Sequence, residues 1–274
     1  MTTIAEYAAS RDLVTNLTLR ELRGKYKRSL LGWAWSLLNP VATMLIYTLV
    51  FRFFLKLQPP TGDPSGVNNF AMYLMCGLLA WNFLTAGVMG SISALIGNAN
   101  LVKKTYFPRE LLIGSMVASC VVSFLIELAL LSVAFLFFGS LVLPYLPVAL
   151  LLVVLLTLFV AGLGLAFSVL NVYFRDVQHL VGILFQVWFY LTPIVYPISF
   201  VPVRATLFGR DLPVRALYDL NPIVGFVESF RDLLYDLRLP PSGQVAYLAV
   251  VSVAVFAVGM VLFSRLEGRL AEEL

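Results

Sequence analysis

Charge is what this chain has least of. Asp, Glu, Lys and Arg make up 12% of its residues, against about 25% in an ordinary soluble domain. Histidine is scarcer still: His179 is the only one, which leaves a histidine-built zinc centre or catalytic triad almost nothing to work with, and no metal site is expected. The two cysteines, Cys76 and Cys120, lie inside apolar runs without C-x-x-C spacing and read as small buried hydrophobes. No G-x-x-x-x-G-K-[ST] occurs, because the Gly24-Lys25 pair is followed by Tyr26; the chain has no such loop to cradle nucleotide phosphates. The net charge is +4, but the basic residues cluster at the ends of apolar segments and are not interleaved with aromatics. That pattern belongs to membrane topology and excludes nucleic acid as a partner.

What fills the chain is hydrocarbon: 60% of residues are hydrophobic and the mean hydropathy is +0.91. Several runs reach the about 20 helical residues needed to cross a bilayer core. The pattern predicts an all-α membrane protein with six spans, at about 33–55, 70–96, 110–138, 146–172, 178–198 and 245–263. Pro40 falls in the opening turns of the first span, where a lost N–H costs least. Residues 1–32 are polar and basic. They do not read as a secretory signal, and the spacing of Leu13, Val14 and Leu17 suggests a short helix on the membrane surface. Between the fifth and sixth spans, 199–243 is a long connection. Its semi-apolar stretches, 201–208 and 222–234, are too short to cross and read as re-entrant or interfacial helices. In the second, Glu228, Arg231 and Asp232 share one helix face, suited to a water-facing boundary. The pair Gly162 and Gly164 lies within a span, where small residues let helices approach.

Arg11, Arg20, Arg23, Lys25, Lys27, Arg28, Lys103, Lys104, Arg109, Arg175, Arg265 and Arg269 fall on one side of this topology. The opposite side receives Arg52, Lys56 and the arginines of the long connection, where charge counts less. Both termini are therefore expected in the cytoplasm. Tyr47, Trp81, Trp188 and Tyr190, with Asn82 and Gln186, lie well inside their spans. Polar-capable groups at that depth face a partner or a cavity, so two readings stand: the wall of a path, or helix packing with satisfied OH and NH groups. Arg175-Asp176 is either a local ion pair or a cytoplasmic contact. Arg204, Arg210 and Arg215 suit a phosphate head group or simple solvation. Glu127 and Arg52 fall at similar depth: either they pair, or a protonated Glu127 bonds a neighbouring backbone or hydroxyl group while Arg52 snorkels outward to lipid phosphates.

Four stretches carry a family likeness: RGKYKRSLLGWAWSLLNP from Arg23, NANLVKKTYFPRELLIGS from Asn98, LNVYFRDVQHLVGILFQVWFYLTPIVYP from Leu170 and LNPIVGFVESFRDLLY from Leu220. In this order, over essentially the whole chain, they resemble the ABC-2 type permeases that export O-antigen, capsular polysaccharide, galactan or teichoic acid. The resemblance implies one transmembrane domain over 1–274: a cytoplasmic interface segment (1–32), a six-span bundle (33–263) and a cytoplasmic tail (264–274). It implies a homodimer in the bacterial cytoplasmic membrane, without catalysis or cofactor of its own, since ATP and Mg would belong to a separate ABC ATPase. Coupling to that ATPase maps to Arg23, Tyr26, Asn98, Leu101, Lys103, Lys104, Tyr106, Arg109 and Arg175. The channel maps to Tyr47, Trp81, Gln186, Trp188 and Tyr190, and an outer gate to Tyr196, Glu228 and Arg231. The expected cargo is a lipid-linked polysaccharide or teichoic-acid-like polymer. The alternatives are export of small amphiphiles or drugs, and, more remotely, an intramembrane transferase.

Overall fold

The computed structural model describes residues 11–25, 35–54, 56, 60–104, 107–207 and 210–273; Tyr26 and Tyr106 lie outside the described residues. The elements run α1 (Arg11–Lys25), α2 (Trp35–Tyr47, continued in π-helical geometry over Thr48–Phe54), α3 (Phe70–Gly97), α4 (Ala99–Lys104), α5 (Glu110–Phe137) and α6 (Leu146–Tyr173). Then follow α7 (Val177–Tyr190), a hairpin of β1 (Ala205–Leu207) and β2 (Arg210–Leu212), α8 (Val214–Asp219), α9 (Pro222–Arg231, continued as a π-helical turn Asp232–Asp236), α10 (Ser242–Leu266) and α11 (Leu270–Glu273).

Four helices are long and apolar enough to cross a membrane: Phe70–Gly97, Glu110–Phe137, Leu143–Tyr173 and Ser242–Leu266. The stretches Val41–Phe54 and Val177–Tyr190 are shorter apolar helices. The expected fifth span is therefore cut short. α7 ends at Tyr190, and its 14 residues rise only about 21 Å at 1.5 Å each. Pro193 explains the stop, since it lacks an N–H and disfavours helical backbone at Thr192 before it. A second departure follows: within the expected stretch 201–208, the described residues 201–207 are not helical. Pro202 interrupts it, and Ala205–Leu207 instead pairs antiparallel with Arg210–Leu212.

The core is built on α3, which packs against both α5 and α6, while α10 lies along α6. Small residues set these distances. A Cβ on Gly162 would stand 2.6 Å from the Phe256 backbone, one on Gly259 would collide with the Gly162 carbonyl, and one on Gly164 would stand 2.7 Å from Ser91 Oγ. The helix axes approach closely because nothing projects between them. Several hydroxyls inside the bundle are satisfied within their own helices: Ser91 Oγ donates to Gly87 O (2.7 Å), Ser132 Oγ to Leu128 O (2.7 Å) and Thr157 Oγ1 to Val153 O (2.7 Å). In a medium without water this is the inexpensive solution.

Capping follows the local sequence. Asn69 opens α3 by accepting from Ala71 and Met72 N–H groups. Gly139, at φ +82, closes α5. Its N–H reaches Leu136 O at 3.0 Å, and Ser140 N–H reaches Phe135 O at 3.0 Å, the paired bonds of a Schellman motif. The turn there is thus a helix stop that glycine adopts without strain.

Candidate functional site

An open groove of about 370 Å³ runs between α2, α3 and α7, and Tyr47, Trp81, Gln186 and Tyr190 line it together. Its floor is aromatic: Tyr47 stacks on Phe189 (centroids 6.1 Å, planes 21° apart), and Trp81 meets Phe189 edge-on at 5.4 Å and Phe185 at 6.0 Å. Polar groups are few, namely Thr43, Asn82, Thr85 and Gln186. Thr85 Oγ1 is buried in this wall with no hydrogen-bond partner among the described residues. Trp188 does not line the groove. Its ring meets Trp81 and Phe185 edge-on at 6.2 and 5.7 Å, and its indole N–H donates to Asn221 Oδ1 at 3.0 Å. The same oxygen caps α9 by accepting from Ile223 N–H at 3.1 Å, so Trp188 ties α7 to the start of α9. Phe185 and Phe189, which do line the groove, were missed by a reading that favoured aromatics with a polar tip. The available signal was the stripe Gly182, Phe185, Gln186, Phe189, at helical spacing on one face.

At one end of the bundle, α1, α4, the start of α5 and the end of α10 come together. Leu17 and Leu22 of α1 are buried while Leu19 is exposed, and Arg20 Nη2 donates to Asn98 Oδ1 at 2.6 Å. Within the stretch 98–109, Ala99–Lys104 form the short helix α4. Val102 is buried, Leu101 half-buried, and Lys103 and Lys104 are exposed. Arg23 and Arg175 are exposed as well. Arg109 is engaged: its Nη1 donates to Glu267 O, and Tyr173 Oη donates to Leu266 O at 2.7 Å. Two carbonyls that the end of α10 would otherwise leave open are thereby satisfied. Burial, reinforced by the neighbouring Glu110 carboxylate, pushes the Glu267 carboxyl above its usual range. Asn171, buried, donates to Ile92 O at 3.3 Å and accepts from Gln178 N–H at 3.1 Å, fixing the α6–α7 turn against α3.

At the other end, where α10 begins, the turn after α7 meets α8 and α9. Tyr196 Oη donates to Tyr190 O at 2.8 Å and lies 3.4 Å from Tyr218 Oη. The charged face of α9 is divided: Glu228 and Asp232 line an open cavity, while Arg231 is turned inward. Arg231 is 2% exposed and Asp232 6%. Arg231 donates to Pro193 O and Ile194 O at 2.6 Å each and to Glu228 Oε1 at 2.8 Å, and its guanidinium lies 3.8 Å over the Tyr73 ring. The backbone left open by the break of α7 supplies the acceptors, which is why an arginine can be buried here. Arg238 holds Asp232 (2.6 Å) and Asp236 (3.3 Å). Burial nevertheless raises both carboxyls above their ordinary values, and the bond to Asp232 raises Arg238. Arg215 donates to Ile198 O at 2.6 Å and pairs with Asp219 at 3.7 Å. Arg52 is exposed, while Glu127 lines a small cavity with Asn82 and Ser123.

Residues 12–235 match the family described as ABC-2 type transporter. The chain belongs to that family. It is 32% identical to the O-antigen export system permease protein RfbA of Myxococcus xanthus, over 99% of this chain and 98% of that one. A permease of the same name from Klebsiella pneumoniae is 29% identical, over 95% and 94% of the two chains. The polysialic acid transport protein KpsM of Escherichia coli is 23% identical, over 93% of each.

For this ABC-2 chain, a multi-pass membrane protein, the geometry divides the expected site residues into three places. The groove gathers four of the five expected wall residues. The α4 end presents exposed lysines on a helix anchored by its apolar side. The far end holds its charges in pairs. Among the described residues no group of three or more His, Cys, Asp or Glu side chains is placed to hold a metal ion.

Proposed function

We propose that this chain is the permease subunit of an ATP-driven exporter that carries a lipid-linked polysaccharide across the bacterial cytoplasmic membrane. The observation that carries the reading is the groove, an aromatic floor with sparse polar groups. Sugar rings present apolar C–H faces and peripheral hydroxyls, and such a wall meets both without a deep well to hold them. The groove is open along α2 and α7, where Leu45, Ile46, Leu180, Ile183, Leu184 and Val187 are exposed. A second copy facing it would close the path, with α2 and the α7 region as the remaining two of six spans. Helix α4 would dock a separate ATPase through Lys103 and Lys104, with Arg23 and Arg175 beside it, and both termini would lie in the cytoplasm. The turn after α7, with Tyr196 and α9, would form the outer gate. The export and transport names of the relatives support a polysaccharide as cargo. Deleting the gene in its host tests this. Cell-surface polymer should disappear and lipid-linked polymer accumulate inside, with restoration by the wild-type chain. Surface polymer that persists, with loss of small-amphiphile efflux instead, would establish a drug-type exporter.

A further inference from the structure

The cavity at the α8–α9–α10 corner, about 710 Å³, lies within the about 300–1,000 Å³ of small-molecule sites and is separate from the groove. We infer that it is a binding site for a neutral, hydroxyl-rich saccharide unit, an exit station for the exported polymer; this rests on the export reading and narrows its substrate class.

The argument is an inventory of the wall. Three carboxylates, Asp219, Glu228 and Asp232, and two guanidiniums, Arg215 and Arg238, line the cavity with Gln244 and Tyr247. Both arginine charges are already compensated, Arg215 by Asp219 and Arg238 by Asp232 and Asp236. An incoming phosphate would have to displace a carboxylate and then sit beside it, so the phosphate role open to Arg215 from sequence is disfavoured. The amide N–H₂ of Gln244 is spent on Gly225 O (2.8 Å) and Ser229 Oγ (3.1 Å), and the Tyr247 hydroxyl proton on Leu220 O (2.6 Å). What remains is an excess of acceptors. No described hydrogen bond reaches Asp232 Oδ2, although the residue is more than nine-tenths buried. The Gln244 carbonyl oxygen and the second oxygen of Glu228, whose first is held by Arg231, are likewise open.

A wall rich in acceptors binds a ligand rich in donors. With no metal-competent cluster among the described residues, the fitting donors are hydroxyls, and Val224, Leu239, Pro241 and the Tyr247 ring offer apolar surface to the C–H faces that accompany them. A polymer carrying a carboxylate on every unit, as polysialic acid does, would find both arginines already engaged by carboxylates and the Gln244 and Tyr247 donors already spent, leaving nothing in this wall to hold its charge. The place is suitable for an exit. The cavity touches Glu228, which is bonded to Arg231, and Arg231 holds the carbonyls that follow α7. It also opens where α10 begins, about 37 Å of helix from the α4 end at 1.5 Å per residue.

The test uses the full-length chain in lipid nanodiscs. Binding would be measured by calorimetry with a panel of neutral tetrasaccharides (glucose, galactose, mannose and N-acetylglucosamine), a sialic acid tetramer and inorganic pyrophosphate. At least one neutral tetrasaccharide should bind. Leu239→Trp, which fills the cavity from an exposed rim position, and Asp219→Asn, which removes a charged acceptor at the surface, should each weaken it about ten-fold or more. No neutral binding, binding unchanged in both variants, or preference for the sialic acid tetramer or pyrophosphate would overturn the assignment. The export reading fails separately, through surface polymer that survives deletion of the gene. Should that polymer be lost on deletion while both variants bind and export as wild type does, only the cavity's role falls.

Discussion

At the α6–α10 crossing, a single methyl group decides whether two spans can touch. Phe256 backbone and the Gly162 carbonyl occupy the space that Cβ atoms on Gly162 and Gly259 would need. Backbone cannot swing aside as a flexible side chain can, so a larger residue forces the helices apart along their whole contact. Overpacking of this kind costs about 1–3 kcal/mol where side chains can adjust, and here they are not the obstacle. Gly259→Val should therefore lower the thermal unfolding temperature of the purified chain by several degrees or prevent its folded accumulation. Gly114→Ala, on α5 with nothing within 4 Å of the added carbon, should be neutral or stabilising by about 0.5–1 kcal/mol. Equal behaviour of the two variants in a melting assay would contradict this account of the crossing. The sequence showed two glycines inside a span; the partner that makes Gly162 indispensable, Gly259, lies on another helix and only the fold reveals it.

Among the elements, legibility follows how local the cause is. The long spans α3, α5, α6 and α10 were readable to within a few residues, because each is an apolar run bounded by its own stops: Asn69 before α3, Gly139 after α5, Pro241 before α10. The end of α7 was only half readable: Pro193 is a local signal for the stop, but the apolar run continues past Tyr190, and the carbonyls of Pro193 and Ile194 are held by Arg231, some forty residues later. The face of each helix was equally hidden. Trp188 and Phe189 are adjacent, yet one bonds Asn221 and the other floors the groove. Helix α4 is the reverse case, where a mixed apolar and basic run sufficed. Val102 is buried and Lys103 and Lys104 are exposed, so changing the lysines should not disturb the bundle. The double charge reversal Lys103→Glu, Lys104→Glu should leave the chain's stability within about 1 kcal/mol of wild type while reducing copurification of the ATPase and export together. Unaltered copurification and export in that variant would remove α4 from the coupling surface.

In the molecule as a whole, energy would enter at the α4 end and polymer would leave at the α9 end, with the groove between them as the surface along which work is done. The groove is not a binding pocket of the usual enclosed kind. Tyr190 is 67% exposed, and the stacked Tyr47–Phe189 pair is joined to Trp81 by edge contacts, so the floor is continuous and shallow. Such a floor suits transit: each sugar ring gains a contact and loses it to its successor at nearly constant free energy. Removing one ring from the series should create a step in that path without unfolding the bundle. Tyr47→Ala is the informative change, because Tyr47 is half-buried and belongs to α2, outside the tightly packed α3–α6–α10 core. An aromatic contact of about 1–1.5 kcal/mol corresponds to roughly five- to ten-fold in rate. Tyr47→Ala should therefore slow polymer appearance at the surface by that factor, while the complex assembles and basal ATP hydrolysis stays near wild type. Tyr47→Phe, which keeps the ring and loses the hydroxyl, should retain most of the rate. If Phe and Ala slow export equally, the hydroxyl rather than the ring matters and the sliding floor is the wrong picture; if neither slows it, the polymer takes another route.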